Sequence, residues 1–451
     1  MDVKTVDETG LSVKSIFTYL FISAALVAVI LFPSKIVPGY GHVVSTILAL
    51  SLIVMILRAA LGSLLAFDRP DAPELPADEE LPTVSVLIPA YNEEPVLPGT
   101  IEACKNVDYP AEKLEVVLCY EADSSDRTGE ICREAADGDE RFVAIERDEP
   151  GGGKAKATNY AIKHATGDIF ASIDADHRFR PDAIRRAVGW FLEDEDVWCV
   201  KGRCYGDNPT DSLLALHATV ERHIAEVADL FAREALNGFT IFGGGQAFFR
   251  KEVFQELGMF DEDILVEDID MSSKIHTAGK KLRVDPSVIT FEENPPTLSA
   301  WWSQRHRWAR GWMQVANRYL TELPKDRSLT NREKIDAVFT FALAVLPALL
   351  ILAIPIPFTQ WLTPDVPMTY LPYDWLMLLL IPVSPALVAW PIYIQDRADG
   401  LTHHWSEWLA PFTLWIYFGL QAAVFVTAFI DEYILGKASV YVTTTRSESA
   451  R

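Results

Sequence analysis

Long apolar runs stand near both ends of this chain of 451 residues, and a region of mixed polarity lies between them. Two runs cover residues 16–32 and 43–67, and three more cover 337–357, 375–394 and 409–430. Each is close to the roughly 20 residues that an α-helix needs to cross a bilayer. Because 23% of all residues are nevertheless charged, we predict a water-soluble region inserted between transmembrane helices.

The first two runs predict a transmembrane hairpin over residues 1–69. Its turn carries one cation, Lys35, whereas the opposite side carries Lys4, Lys14, Arg58 and Arg69. Since positive residues favour the cytoplasmic side, the region that follows is expected in the cytoplasm of a multi-pass plasma-membrane protein, with Arg58 reaching the membrane interface. A cleavable signal peptide is the competing interpretation of the first run, but no small-residue cleavage site follows it.

Beyond the hairpin the composition changes three times. Residues 70–82 form an acidic, proline-containing linker, and residues 83–320 alternate short β-rich runs with helical stretches. That alternation is typical of an α/β domain with a mostly parallel sheet, which binds ligands at the carboxyl ends of its strands. Residues 321–335 are a second linker, and 336–451 form a C-terminal transmembrane region.

The net charge of −23 argues against nucleic acid as a partner. A hydrated acidic surface suits a salt-rich cytoplasm, so an extreme halophile is the expected source. The five cysteines form no CxxC pair, and neither a disulfide framework nor a zinc site is indicated.

Polar side chains follow the first two predicted strands of the domain. The first strand leads into Ala90, Tyr91 and Glu93, and the second leads into Glu121 and Asp123. Both clusters fall where a doubly wound sheet binds a nucleotide. Taken singly, each is also compatible with a turn that caps a helix.

Two further loops carry charges suited to phosphate and metal. Glycines 151–153 and Lys154 precede a helical run but do not match the P-loop spacing. Asp174 and Asp176 follow a strand directly, so strand alternation is expected to point both carboxylates into one cleft, where their oxygens suit Mg²⁺ or Mn²⁺. The competing interpretation is a solvated acidic turn.

The adjacent carboxylates Glu267 and Asp268 lie among apolar residues. Burial is costly for such groups unless they are functional, and it raises the pKa towards the range of a general base. Helix capping is the alternative explanation for this pair.

The segment 297–315 predicts an amphipathic helix with an aromatic stripe formed by Trp301, Trp308, Trp312, Val315 and Tyr319. Tryptophan and tyrosine beside arginine suit a membrane interface. Gln304 and Arg307 project from the flank of this stripe and suit a diphosphate. An ordinary interfacial helix remains the other interpretation.

Taken in order, the motifs at 89–93, 151–159, 174–177, 266–268 and 304–308 resemble the membrane-integrated family 2 glycosyltransferases, among them the cellulose and hyaluronan synthases and ceramide glucosyltransferase. The resemblance implies a GT-A (Rossmann-like) fold and inverting hexosyl transfer from a nucleotide sugar, usually UDP-linked. It assigns Asp174 and Asp176 to the metal-diphosphate, Asp268 to the base, and Tyr91, Glu93 and Lys154 to the nucleotide. Gln304, Arg307 and Trp308 would close over the diphosphate and the acceptor.

The chain departs from this family at Glu121–Ser124, which read EADS where DDGS is common. Whether Glu121 or Asp123 contacts the base of the nucleotide therefore stays open. Near the C-terminus, Tyr441, Thr444 and Arg446 resemble the gating loop of cellulose synthase. Five crossings would leave this tail outside the cell, so either one C-terminal run is re-entrant or double, or the match is accidental.

Three functions are compatible with these motifs. The expected one is extension of a polysaccharide that is secreted through the membrane, and the first alternative is transfer of one sugar to a lipid such as polyprenyl phosphate or a glycolipid. An inactive membrane scaffold or transporter would be expected to have lost at least one of Asp176, Asp268, Arg307 and Trp308, yet all four are present.

Overall fold

The computed structural model describes residues 2–4, 12–67, 72–149, 153–356 and 374–442. Its strands are Asp2–Lys4 (β1), Val84–Ala90 (β2), Leu114–Glu121 (β3), Phe142–Arg147 (β4), Ile169–Ile173 (β5), Arg178–Phe179 (β6), Val197–Gly206 (β7), Gln246–Arg250 (β8), Lys281–Glu292 (β9) and Val440–Val442 (β10). Eight of them form one sheet in the order β4-β3-β2-β5-β8-β7-β9-β6.

The sheet is mixed rather than uniformly parallel. Among the described strands, β4, β3, β2 and β5 run parallel, whereas β8 is antiparallel to both β5 and β7. Strands β2, β3 and β5 are buried almost throughout, because helices cover both faces of this half. The predicted α/β fold class is therefore confirmed, with an antiparallel strand inserted beside β5.

Helices surround the sheet and extend beyond it. They are Val13–Leu31 (α1), Tyr40–Leu65 (α2), Leu97–Lys105 (α3), Thr128–Gly138 (α4), Gly153–His164 (α5), Ala183–Glu193 (α6), Leu213–His223 (α7), Ala232–Ala235 (α8), Glu252–Glu256 (α9), Glu267–Thr277 (α10), Leu298–Tyr319 (α11), Asn331–Ala353 (α12), Asp374–Ala398 (α13), Trp405–Leu409 (α14) and Leu414–Phe429 (α15). A π-helical segment, Ile224–Phe231, joins α7 to α8.

Four helical segments within the described residues are long and apolar enough to cross a membrane: Val13–Lys35, Tyr40–Leu65, Asn331–Ala353 and Trp405–Ile434. They flank the α/β domain on both sides, as the apolar runs predict. The run at 375–394 forms one continuous helix, α13, although it contains Pro382, Pro385 and Pro391.

The segment Trp405–Ile434 returns to the α/β domain at both of its ends. At its beginning, Glu407 lies 3.2 Å from Nε2 of His223. At its end, Arg310 Nε donates to Glu432 at 2.9 Å. Although the composition fits a membrane span, these contacts favour the re-entrant interpretation of this run. Thr444 and Arg446 of the gating-like tail lie outside the described residues.

Arg58, which is expected to reach the membrane interface, pairs with carboxylates of neighbouring helical segments. Its guanidinium lies 3.1 Å from Asp229 and 3.0 Å from Asp336, and it stacks on the ring of Phe339. A cation on an apolar helix is stabilised when carboxylates of neighbouring helices pair with it. Arg58 therefore ties α2 to α12 and to the π-helical segment.

A buried ionic network fastens α13 to the sheet. Arg203 of β7 donates to both carboxylate oxygens of Asp396 at 2.6 and 2.7 Å. His403 contacts Asp396 at 2.9 Å and Glu407 at 3.0 Å. Although burial acts in the opposite direction, the contacts with Asp396 and Glu407 raise the pKa of His403, which favours its charged form beside the two carboxylates.

We expect Asp396→Asn to destabilise the protein by about 3–5 kcal/mol, because it leaves the buried Arg203 without its charge partner. Thermal unfolding of the detergent-solubilised protein measures this loss. Glu130→Gln, which breaks an ion pair between two half-exposed side chains of α4 and its preceding loop, is the control and should unfold at the wild-type temperature. Equal melting temperatures for the two variants would contradict the prediction.

Candidate active site

A cavity of about 320 Å³ opens at the carboxyl ends of β2, β3 and β5, and α11 borders it. The structure brings every predicted site residue to its wall: Ala90, Tyr91, Glu93, Glu121, Asp123, Lys154, Asp174, Asp176, Glu267, Asp268, Gln304, Arg307 and Trp308. These residues span more than 200 positions of sequence, so tertiary folding creates one site from separate motifs.

Two loops form the end of the cavity next to β2 and β3. Asn92, which has a positive φ of 55°, accepts a hydrogen bond from the backbone N–H of Ser125 at 2.7 Å. The backbone N–H of Glu93 donates to Oγ1 of Thr128 at 2.8 Å. These bonds hold the loop with Tyr91 and Glu93 against the loop with Asp123.

Glu121 and Asp123 have different surroundings. Glu121 is buried and pairs with Arg147, whose guanidinium lies 2.8 and 2.7 Å from its two carboxylate oxygens. Burial raises the pKa of Glu121, although Arg147 opposes that shift. Asp123 is exposed on the cavity wall. Asp123 is therefore the carboxylate with its oxygens accessible from the cavity.

Asp174, Asp176 and His177 form a cluster whose ligand atoms all lie within 4.8 Å of one another. They converge for a reason that differs from the predicted strand alternation. Strand β5 ends at Ile173, and the N–H of His177 donates to the carbonyl of Asp174 at 3.0 Å, which closes a tight turn. Lys154 Nζ lies 2.5 Å from Asp174 Oδ1. Glycines 151 and 152 lie outside the described residues.

Asp268 lies in the first turn of α10 and is half-buried on the cavity wall. Burial, reinforced by the neighbouring Glu267 carboxylate, raises the pKa of Asp268 to about 7, although Lys154 acts in the opposite direction. Oδ1 accepts a hydrogen bond from the N–H of Ile269 at 2.9 Å. A carboxyl with this pKa exchanges a proton near neutral pH, as a general base must.

The loop with Gly244 and Gly245 separates Asp268 from the aspartate turn. Both glycines have positive φ angles, and a Cβ at Gly244 would lie 3.1 Å from Oδ2 of Asp268. A Cβ at Gly245 would lie 2.6 Å from Cε1 of His177. Glycine is therefore required here both by the backbone conformation and by the close approach of these side chains.

Helix α11 contributes Gln304, Arg307 and Trp308 to the cavity. Its aromatic stripe faces protein rather than a membrane interface. Trp301 is fully buried and donates to the hydroxyl of Tyr417 at 2.9 Å. Tyr319 is also buried. The stripe packs inward because α12 and α15 cover it, and hydrophobic periodicity alone does not identify the covering surface.

Several wall residues were not found by sequence reasoning. They are Arg147, Arg222, Glu226, Asp229, Glu292 and Glu293. Most belong to no spaced motif and enter the cavity from α7, the π-helical segment or the end of β9. The sequence does carry one signal for Glu292 and Glu293, because they stand at the end of an alternating apolar run, where a strand would end.

Comparisons with known proteins find sequence or fold similarity to glycosyltransferases. The family model described as glycosyl transferase family 2 matches residues 85–258. The probable glycosyltransferase YdaM of Bacillus subtilis is 32% identical over 249 residues, which are 55% of this chain and 59% of that protein. The β-monoglucosyldiacylglycerol synthase of Nostoc is 28% identical over 77% of this chain and 74% of its own length.

Two further proteins extend the comparison. The poly-β-1,6-N-acetyl-D-glucosamine synthase of Staphylococcus aureus is 29% identical over 52% of this chain and 56% of its own length. The chain thus spans less than two thirds of this synthase and of YdaM. The mannosyltransferase PcManGT from Pyrobaculum calidifontis, solved with GDP-Man and Mn²⁺, superposes with a TM-score of 0.61 at 22% identity, over 87% of this chain and 99% of that one. The fold is therefore shared with a solved mannosyltransferase.

Proposed function

We propose that this protein is a metal-dependent, inverting glycosyltransferase that moves a sugar from a nucleotide-sugar donor to a hydroxyl group at the membrane. The match of residues 85–258 to the glycosyl transferase family 2 model supports this proposal. The observation that carries the proposal is that one cavity is shared by the Asp268 carboxylate, the aspartate turn and the α11 side chains. A UDP-sugar is the first donor to test.

The donor would lie between the β-strand ends and α11. Tyr91 suits stacking on the base, and Glu93 and Asp123 suit hydrogen bonds to the nucleoside. Lys154 and Arg307 supply positive charge for the diphosphate, and Gln304 supplies an amide donor one helical turn from Arg307.

The aspartate turn fits a divalent cation, because hard carboxylate oxygens of Asp174 and Asp176 converge within 4.8 Å. Mg²⁺ or Mn²⁺ bound there would neutralise charge on the departing diphosphate. The protein's own part is to hold these side chains in place through the turn after β5 and through Lys154.

Asp268 would act as the base. Its carboxylate takes the proton of the acceptor hydroxyl while that oxygen bonds to the anomeric carbon and the bond to the donor diphosphate breaks. Attack from the face opposite the leaving group inverts the anomeric centre. The electron pair leaves with the diphosphate, beside Lys154, Gln304 and Arg307.

This chemistry suits two classes of acceptor, a growing polysaccharide and a membrane lipid. The share of each relative that the chain covers distinguishes them. The gating-like tail favours a secreted polysaccharide, and the relative from Staphylococcus aureus carries the name of a polysaccharide synthase. The relative aligned over 74% of its own length is named for a glucosylated diacylglycerol. We therefore propose a membrane lipid as acceptor, with polysaccharide as the competing outcome.

We also propose that the catalytic domain is cytoplasmic and that the chain crosses the plasma membrane an even number of times. Strand β1 pairs in parallel with β10, so the segments 2–4 and 440–442 lie on one side. Both ends of Trp405–Ile434 contact the α/β domain. Four crossings by α1, α2, α12 and α13 satisfy these contacts and the positive residues beside the hairpin.

The decisive experiment incubates the purified protein with membrane lipids, a panel of UDP- and GDP-sugars, and Mg²⁺ or Mn²⁺ at high KCl concentration. Nucleotide release identifies the donor, and chromatography of the product separates a glycolipid from a long chain. Failure of every donor to release nucleotide, in every lipid and metal tested, would remove the proposed function.

We expect Asp123→Asn to raise the donor KM by about 10-fold, since a hydrogen bond to a charged acceptor contributes about 1.5–3 kcal/mol, while kcat changes little. Competition by free nucleotides measures the same loss of affinity. Glu121→Gln should instead lower the melting temperature, because it removes the charge that pairs with the buried Arg147. If Glu121→Gln raises the donor KM and Asp123→Asn lowers the melting temperature instead, Glu121 is the residue that contacts the base of the nucleotide.

A further inference from the structure

Four side chains form a continuous line of contacts along one wall of the cavity. We call them the Glu292 bridge: His177, Glu292, Arg222 and Trp308. Glu292 Oε2 lies 3.1 Å from Nε2 of His177, and Glu292 Oε1 lies 2.5 Å from Nε of Arg222. The guanidinium carbon of Arg222 lies 5.5 Å from the ring centroid of Trp308. The bridge thus joins the aspartate turn to helix α11.

The bridge is buried at its centre. Glu292 is 5% exposed, and His177 is 1% exposed. Although burial acts to raise it, Arg222 beside the carboxylate holds the pKa of Glu292 below its usual range. A buried ion pair generally adds little stability compared with apolar residues of the same size. Stability therefore does not explain why this ion pair lies between the aspartate turn and α11.

The geometry links the two ends of the site mechanically. His177 directly follows Asp176, so the orientation of its imidazole constrains the turn that carries both aspartates. Its other nitrogen, Nδ1, lies 3.1 Å from Oγ1 of Thr290, so β9 holds both sides of the ring. At the far end, Trp308 contacts a second cation, because the guanidinium carbon of Arg305 is 4.4 Å from its ring centroid.

We propose that Glu292 is a positioning residue that holds the aspartate turn and Trp308 in one geometry, so that metal-donor binding and acceptor binding support each other. This inference rests on the proposed function. Glu292 takes no part in bond making, because its carboxylate forms ion pairs with His177 and Arg222. A displacement of about 1 Å in such supporting contacts is enough to lower a rate by about 100-fold.

A double-mutant cycle tests the bridge. We expect Glu292→Gln to lower kcat/KM by about 10- to 100-fold, as removal of a supporting residue behind metal ligands typically does. Trp308→Leu should lower it as well. Because both act through one geometry, the double variant should be no slower than the slower single variant. Losses that multiply would overturn the proposal.

A second measurement does not depend on turnover. Mn²⁺ binding without donor, followed by electron paramagnetic resonance, should be weaker in Glu292→Gln, since His177 loses its charged partner. Arg222→Lys keeps the charge but loses the planar fork, and it should retain Mn²⁺ binding while raising the acceptor KM. Unchanged Mn²⁺ affinity in Glu292→Gln would show that Glu292 does not position the aspartate turn.

Glu234→Gln is the matched control. Glu234 is a buried carboxylate that pairs with Arg283 of β9, away from the cavity wall. Glu234→Gln should lower the melting temperature. Any loss of kcat/KM that it causes should multiply with the loss caused by Trp308→Leu. If the wild-type protein releases no nucleotide, the proposed function has failed. If it does and Glu292→Gln behaves like Glu234→Gln, only the bridge has failed. If Glu292→Gln does not fold, Arg222→Lys takes its place in the double-mutant cycle with Trp308→Leu.

Discussion

Asp268→Asn is expected to lower kcat by about 10²–10⁴-fold, the usual contribution of a positioned general base. Asparagine keeps the size of the side chain and can still accept from the N–H of Ile269, but it cannot take a proton. The donor KM should change little, because the base acts mainly in the transition state. Steady-state nucleotide release at saturating donor measures the effect.

The pH profile gives an independent measurement of the same role. The base must be deprotonated, and its pKa is raised to about 7 by burial. In the wild-type protein kcat/KM should therefore rise with pH up to about 7 and level off above it. In Asp268→Asn that rise should vanish, leaving a low and flat profile.

Asp263→Asn is the control for this substitution. Asp263 is exposed in the loop before α10 and lies off the cavity wall. It should retain wild-type rates and the wild-type pH profile. Full activity in Asp268→Asn, or a slow variant whose pH profile is unchanged, would assign the proton transfer to another group.

Removal of divalent metal is expected to have the second large effect. Treatment with a chelator should abolish nucleotide release, and Mg²⁺ or Mn²⁺ should restore it. Asp176→Asn should lower kcat/KM by about 10²–10³-fold at a fixed metal concentration, because metal stabilisation of a leaving group contributes several kcal/mol and each 1.36 kcal/mol is a factor of about ten. Excess Mn²⁺ should recover part of this loss.

The partial recovery distinguishes a metal ligand from a structural carboxylate. Asp137→Asn, on the exposed face of α4, is the control and should behave as wild type at every metal concentration. Undiminished activity in chelator would exclude a metal-dependent reaction. A defect in Asp176→Asn that Mn²⁺ leaves unaltered would instead indicate that Asp176 maintains the turn after β5.

Much of the fold could be predicted because local patterns report it directly. Apolar runs of membrane-spanning length marked the flanking helices, and β-rich runs that alternate with helical stretches marked the α/β sheet. The antiparallel strand β8 was not predicted, since strand pairing depends on contacts between residues far apart in sequence. The inward packing of Trp301 and Tyr319 was missed for the same reason.

The candidate site divides in a similar way. Asp174, Asp176 and Asp268 were found because carboxylates beside apolar segments are chemically unusual, and Gln304 and Arg307 were found because they flank the aromatic stripe of one predicted helix. Their roles stay predictions until the substitutions are made. Arg222 and Glu292 were missed, because each is an ordinary charged residue in its own segment and acquires meaning only through its partner.

The sequence by itself determined the order of the long apolar helices and the α/β domain, the class of fold, and the chemical character of the main site residues, since hydropathy, periodicity and side-chain chemistry are local properties. Only the tertiary structure decided which carboxylate is engaged by Arg147, that a turn brings Asp174 and Asp176 together, and that Glu292 links this turn to α11. Burial, pairing and distance depend on segments brought together by folding, and no local pattern specifies them.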